Sequence, residues 1–212
     1  MKVRTFTAAC AALLAACSSQ PPAPDWQGTA KGSIERSVAA YLTGDARVEA
    51  AEFDRARAEV ARTGRPDLVA RIELMRCAAH VASLVFDDCP GFEALRAQAE
   101  PAQRAYADYL AGRAADSALL PPAQQTGAGP GGGDTLKAID DPLSRLVAIG
   151  VRMRANRIDP AAITLAIDTA SDQGWRRPLL AWLNVQLKRA EAAGAQDEAQ
   201  RLRVRIGLVA GQ

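Results

Sequence analysis

The chain has a single histidine, His80, and it lies between two cysteines, Cys77 and Cys89. Two thiols and an imidazole can bind a soft metal ion, and residues three apart, such as Cys77 and His80, share one face of a helix. The same thiols can instead form a disulfide, which would remove both from metal binding. Because the sequence shows no fourth ligand, we predict a Cys77–Cys89 disulfide, no metal site and no other cofactor.

A disulfide at this spacing sets a condition on the backbone, because the two Cα atoms must lie roughly 4.4–6.8 Å apart. A straight helix reaching Phe86 would leave Cys77 about 13 Å back along the axis, with only three residues to return. A helix that ends near Leu84 leaves five residues of about 3.3 Å each, which are enough. The disulfide therefore predicts that residues 85–88 fold back along the helix, with a stabilisation of roughly 2–3 kcal/mol.

A second unusual cluster is Trp175, Arg176 and Arg177, which follows a glycine at a predicted helix start. The helix macrodipole disfavours cations at that end, yet two arginines stand there. Trp and Arg are enriched among the residues that dominate protein interfaces, so we predict that these three contact a protein partner. In the alternative interpretation, Trp175 packs as a hydrophobic staple and the arginines pair with Asp168 or Asp172.

Other catalytic patterns are missing from the sequence. One histidine excludes a multi-histidine metal site, and no Gly-x-Ser-x-Gly elbow is present. Acid pairs occur at residues 87–88 and 140–141, but adjacent side chains in a helical protein point apart. We therefore predict no catalytic residues and a protein that is not an enzyme.

The elements that position these residues are predicted to be helices. Alanine makes up about a fifth of the chain, whereas strand-forming residues are sparse. Apolar residues recur at spacings of three and four, and Gly, Asp and Pro mark the helix ends. We expect helices at about 26–43 and 46–62, a third from Pro66, and caps at Asp45, Asp141 and Asp159.

The predicted fold class is all-α, with antiparallel helical hairpins stacked as a short irregular solenoid or bundle. The layout resembles the tetratricopeptide class of helical repeat, for which the spacing of Gly194 and Ala199 is suitable, but no fixed period is present. Residues 121–134 are rich in Gly and Pro, so we predict a flexible surface loop there. A phosphate-binding loop would need a preceding strand and a Gly-Lys-Ser/Thr ending, and both are missing.

The N-terminus carries a separate pattern. Lys2 and Arg4 precede about ten uncharged, mostly apolar residues, a stretch roughly half as long as a membrane-spanning helix needs. It ends in Leu14-Ala15-Ala16-Cys17, which resembles the lipobox of bacterial lipoproteins. That resemblance implies a signal peptide at 1–16, cleavage before Cys17, and acyl chains, including palmitate, on Cys17. Residues 17–25 would then be a lipidated tether, and 26–212 a single helical domain.

The charge of the mature chain narrows the class of partner. Removing Lys2 and Arg4 from the 26 basic residues leaves 24, against 24 acidic residues, so no basic surface for nucleic acid is expected. Ser18, after the lipidated cysteine, resembles the outer-membrane sorting pattern. We expect an outer-membrane lipoprotein on the periplasmic side that acts as a non-catalytic binding or assembly module with a protein partner in the envelope. The alternative is an envelope enzyme, or a regulator of a cell-wall enzyme.

Overall fold

The computed structural model describes residues 24–211, in which all regular secondary structure is helical. The first five helices are α1 (Asp25–Thr43), α2 (Ala46–Ala61), α3 (Pro66–Ala82), α4 (Pro90–Glu93) and α5 (Pro101–Leu110). The remaining helices are α6 (Pro122–Ala128), α7 (Gly133–Lys137), α8 (Pro142–Arg154), α9 (Pro160–Asp172), α10 (Arg176–Ala192) and α11 (Gln196–Ala210). The predicted all-α class is confirmed.

The predicted aspartate caps explain where three of these helices begin. The side chains of Asp45, Asp141 and Asp159 each accept a hydrogen bond from the backbone N–H three residues later, at 3.0, 2.6 and 2.8 Å. Prolines follow two of these caps, in the first turn of α8 and α9, where a missing N–H costs nothing. The helix starts are therefore encoded locally in the sequence.

Helix α3 lies at the centre of the fold and packs against α1, α2, α5 and α8. Its crossing with α8 is close, because a Cβ atom on Gly150 would lie only 2.3 Å from the carbonyl oxygen of Val81. Trp182 of α10 is fully buried, and its indole N–H donates to the Ala82 carbonyl at 3.1 Å. The C-terminal end of α3 is thus fixed by α8 and α10 together.

The chain reverses direction after α3. The helix ends at Ala82, Leu84 adopts a left-handed conformation with φ of 60°, and the Val85 N–H donates to the His80 carbonyl at 2.9 Å. The following residues return along the helix until Cys89 lies 5.7 Å from Cys77, measured between Cα atoms. The predicted fold-back is confirmed, and the cysteine pair lies at disulfide-bonding distance.

The Gly/Pro-rich segment at 121–134 differs from the predicted flexible loop, because most of it is helical and contacts α8. Helix α6 occupies 122–128, and α7 begins at 133. Buried Arg152 of α8 donates to the carbonyls of Gly127, Gly129 and Gly131, and so satisfies backbone groups that the glycines would otherwise leave to water. The prediction of a flexible loop was wrong because the N–H groups that bind these carbonyls belong to Arg152 of a different helix, which the local Gly/Pro pattern does not reveal.

Candidate binding groove and disulfide site

Three cavities lie side by side along α3 and share Met75 as a lining residue. Their volumes are about 450, 700 and 460 Å³. The first and second also share Tyr106 and Ser144, and the first and third share Glu35. The three adjacent cavities, with Met75 common to all of them, are together called the groove below.

Helix α1 lines the first and third cavities along nearly the whole length of the helix, whereas it does not reach the second. The wall residues recur at the three- and four-residue spacing of a single helical face: Trp26, Gln27, Lys31, Ile34, Glu35, Val38, Ala39 and Leu42. At 1.5 Å per residue, the wall from Trp26 to Leu42 is about 24 Å long. The groove is therefore long enough for about four turns of a helix.

The floor and the opposite wall come from three other helices. Leu68, Arg71 and Ile72 of α3 extend the floor on the N-terminal side of Met75. The opposite wall is formed by Tyr106 of α5 and by residues of α8, which include Leu143 and Val147. Burial raises the pKa of Tyr106 well above its ordinary value, so its phenol stays neutral and the wall carries no phenolate charge.

The predicted partner residue Trp175 lies at one end of the groove, where it is half-buried and lines the first cavity with Leu42 and Leu143. Trp26 lies at the other end and lines the third cavity. The charged residues that line the Trp175 end are the carboxylates Glu35 and Asp141. The Trp26 end shares Glu35 and adds three cations, Lys31, Arg65 and Arg71, so its net charge is positive, whereas that of the Trp175 end is negative.

The two arginines beside Trp175 make contacts within the chain. Arg177 donates from Nε to the Tyr41 carbonyl at 2.7 Å, and its guanidinium lies over the Tyr41 ring at 4.4 Å. The side chain of Arg176 approaches Gly44, just after α1. The cations at the start of α10 are thus placed at the C-terminal end of α1, where the macrodipole favours them. Of the three predicted partner residues, Trp175 is the one that lines the groove.

The disulfide site lies on the other side of α3. Cys77 and Cys89 line a cavity of about 170 Å³, together with His80 and Asp87. His80 Nδ1 lies 2.8 Å from Asp87 Oδ2, and the His80 ring stacks on the Tyr41 ring with centroids 4.6 Å apart. Cys77, Cys89 and His80 could be singled out from the sequence as possible neighbours, whereas Asp87 could not.

The acid pair at 87–88 behaves as two separate groups. Asp87 faces His80 and the disulfide, whereas Asp88 pairs with Arg154 at 3.1 Å. The Arg154 side chain also donates to the Asp87 carbonyl at 3.1 Å, which fixes the returning segment to α8. Adjacent side chains therefore point apart, as the sequence analysis expected.

Cys17, the predicted lipidation site, lies outside the described residues. Within residues 24–211, the structure contains no helix with the length and apolarity needed to span a membrane. No protein-family model, curated protein or solved structure matches the chain.

Proposed function

We propose that this protein is a non-catalytic, lipid-anchored binding module on the periplasmic side of the outer membrane. Its groove binds an amphipathic helix of a partner protein. The observation that carries the proposal is the set of three adjacent, largely apolar cavities that share Met75, with Trp175 lining the first and Trp26 the third. Concave, mostly apolar cavities with a few polar groups are where proteins usually bind ligands.

The shape of the groove favours a helix as its occupant. The floor and both walls are helices, and the α1 wall spans about 24 Å without interruption. A helix that enters such a groove presents apolar residues at spacings of three and four, which match the spacing along α1. A partner helix of about four turns would extend from Trp26 to Trp175.

The charges at the two ends add a requirement for the partner. Glu35 and Asp141 line the Trp175 end, so a basic residue of the partner is favoured there. Lys31, Arg65 and Arg71 favour an acidic residue at the Trp26 end. The expected partner is therefore an amphipathic helix with a basic end and an acidic end.

The lipid anchor supports a location close to the membrane. The lipobox-like sequence Leu14–Cys17 is the basis for the anchor, and Trp26 begins the groove only nine residues later. Eight extended residues from Cys17 to Asp25 span at most about 27 Å. The groove would thus lie within reach of partners at the membrane surface.

The arrangement favours binding over the enzyme alternative. A carboxylate pair in the groove could serve as general acid and base, but Asp141 already accepts from the Ser144 N–H at 2.6 Å as a helix cap. The Glu35 side chain is 59% exposed and lies 3.9 Å from Lys31. Both carboxylates are engaged in local interactions, which makes them poor candidates for coupled proton transfer.

A designed peptide tests this proposal on the full chain in detergent. The probe is a fluorescent amphipathic helix of about 18 residues with a basic and an acidic end, and its controls are a scrambled peptide and a fatty acid probe. We expect Met75→Glu to weaken peptide binding roughly tenfold to a hundredfold, because a buried Met contributes about 1.5–3 kcal/mol.

The matched control is Val204→Glu, which places the same charge on α11 at a residue that is 57% exposed. Val204→Glu should leave binding unchanged. Equal binding by the two variants, or binding of the scrambled peptide, would contradict the groove as the site. Binding of the fatty acid probe in place of the peptide would contradict a helix as the occupant.

A further inference from the structure

We propose that Cys77, Cys89 and Asp87 form a zinc site when the two cysteines are in the dithiol form. A metal ion bound to Cys77 and Cys89 would then replace the disulfide as the link between α3 and the residue that precedes α4. This inference concerns the side of α3 opposite to the groove and does not rest on the proposed function.

The positions of the ligand atoms support a shared ion. The two Sγ atoms and a carboxylate oxygen of Asp87 all lie within 4.8 Å of one another. Zinc binds thiolate sulfur at about 2.3 Å and carboxylate oxygen at about 2.0–2.2 Å. In a tetrahedral site two ligands of one zinc ion lie roughly 3.5–4 Å apart, so once the S–S bond is cleaved the two sulfur atoms must separate and the carboxylate oxygen must approach them.

Asp87 is already held in the orientation that a metal ligand needs. Its Oδ1 accepts a hydrogen bond from the Cys89 N–H at 3.2 Å, and its Oδ2 lies 2.8 Å from His80 Nδ1. His80 is in turn held by stacking on Tyr41. Outer partners of this kind orient the ligands of metal sites and tune their affinity. His80 is thus a positioning residue, and Asp87 is the third ligand.

The fourth coordination position would face the adjacent cavity. The 170 Å³ cavity is lined by both cysteines, Asp87 and His80, and it has room for several water molecules of about 30 Å³ each. Three protein ligands with an open position for water are a common arrangement for zinc. The cavity also gives a reductant and the ion a route to sulfur atoms that are otherwise buried.

The chemistry requires a reductant before the metal can bind. A phosphine cleaves the S–S bond with one water molecule, and the products are two thiols and the phosphine oxide. Zinc then replaces the two thiol protons, which are released to solvent, so affinity should fall as the pH is lowered. The oxidised protein, which has no free thiol at this site, should not bind zinc there.

Cobalt(II) titration of the full chain, reduced with a phosphine under anaerobic conditions, tests the site directly. Reduced protein should bind one cobalt ion with thiolate-to-cobalt charge-transfer absorption, which zinc then removes, and oxidised protein should not. Asp87→Asn keeps both cysteines and the side-chain size, and should weaken zinc binding at least about tenfold. His80→Gln should weaken it by a similar or smaller factor while the absorption band is retained.

Asp88→Asn is the matched control, because Asp88 is adjacent in sequence but pairs with Arg154. It should bind zinc as the unmodified protein does. Zinc should also raise the melting temperature of the reduced protein and leave that of the oxidised protein unchanged. The proposal is overturned by a reduced protein without the charge-transfer band, by equal affinities of the Asp87 and Asp88 variants, or by a melting temperature that zinc does not raise.

Discussion

The two sides of helix α3 differ in what their side chains contact. Met75 lies on the groove side, lines three cavities and has apolar neighbours from four helices. Cys77 and His80, two and five residues later, lie on the other side, where each has a specific partner, Cys89 and Asp87. One side leaves apolar surface open to a ligand, whereas the other is closed by a covalent bond and short polar contacts. Stability and binding are therefore assigned to separate sides of one helix.

Removing the disulfide should have the largest effect on stability and little effect on binding. In Cys77→Ser/Cys89→Ser, the loss of a link across a separation of 12 residues should lower the free energy of unfolding by about 3 kcal/mol. Urea denaturation measures this change, and peptide titration of the folded variant should give an affinity within about twofold of the original. A loss of peptide affinity in this variant would contradict the claim that the two sides of α3 act independently.

Gly150→Ala should lower both the unfolding free energy and the peptide affinity, because it disturbs the contact between α3 and α8. The added Cβ would lie 2.3 Å from the Val81 carbonyl oxygen, so the two helices must move apart. We expect a loss of about 2 kcal/mol in unfolding free energy and weaker peptide binding, since α8 is also a wall of the groove.

Gly207→Ala provides the matched control for this substitution, since a Cβ there meets nothing within 4 Å. It should stabilise α11 by up to about 1 kcal/mol and leave binding unchanged. If Gly150→Ala were as well tolerated as Gly207→Ala, the close crossing of α3 and α8 would be incorrect.

A smaller change in the free energy of unfolding should appear when the pH is lowered. The hydrogen bond from Arg96 lowers the pKa of Glu93, which lies in the helix that follows Cys89. Because the folded-state pKa lies below the unfolded one, this stabilisation is present above the unfolded pKa and is lost as the pH falls through the folded pKa. The Glu93 side chain is 39% exposed, so solvent screening should limit the effect to less than about 1 kcal/mol.

Denaturation of Arg96→Gln as a function of pH measures this contribution. The variant should lose part of the acid dependence below about pH 4.5, the ordinary range of Glu. Peptide affinity should not follow the same titration, because Glu93 does not line the groove. An unchanged acid dependence in the variant would mean that this ion pair does not contribute.

Much of the fold could be predicted from local signals in the sequence. The aspartate caps, first-turn prolines and helix-ending glycines depend on residues within one turn, so α1 and α2 and the starts of α8 and α9 were predicted closely. The fold-back after α3 was predicted from the reach of the chain between Cys77 and Cys89. These inferences need no knowledge of tertiary contacts.

Features that depend on distant residues could not be predicted in this way. The segment at 122–131 is held by Arg152, which donates to the carbonyls of Gly127, Gly129 and Gly131 from 21 to 25 residues away in sequence. The groove combines residues from six helices, and Arg177 binds a carbonyl 136 residues away. No local pattern encodes such contacts. The alternative interpretation, in which Arg176 and Arg177 pair with Asp168 or Asp172, considered only nearby acids, whereas the structure places both arginines at the end of α1.

Photo-crosslinking in cells can show whether the groove binds a helix of a partner protein. A photoreactive amino acid replaces Met75 in the full chain, and the same residue at Val204 serves as the control. We expect the probe at Met75 to crosslink to an amphipathic helical segment of one protein, identified by mass spectrometry, and the Val204 probe not to do so. Crosslinks only to lipid, or the same products from both positions, would contradict it.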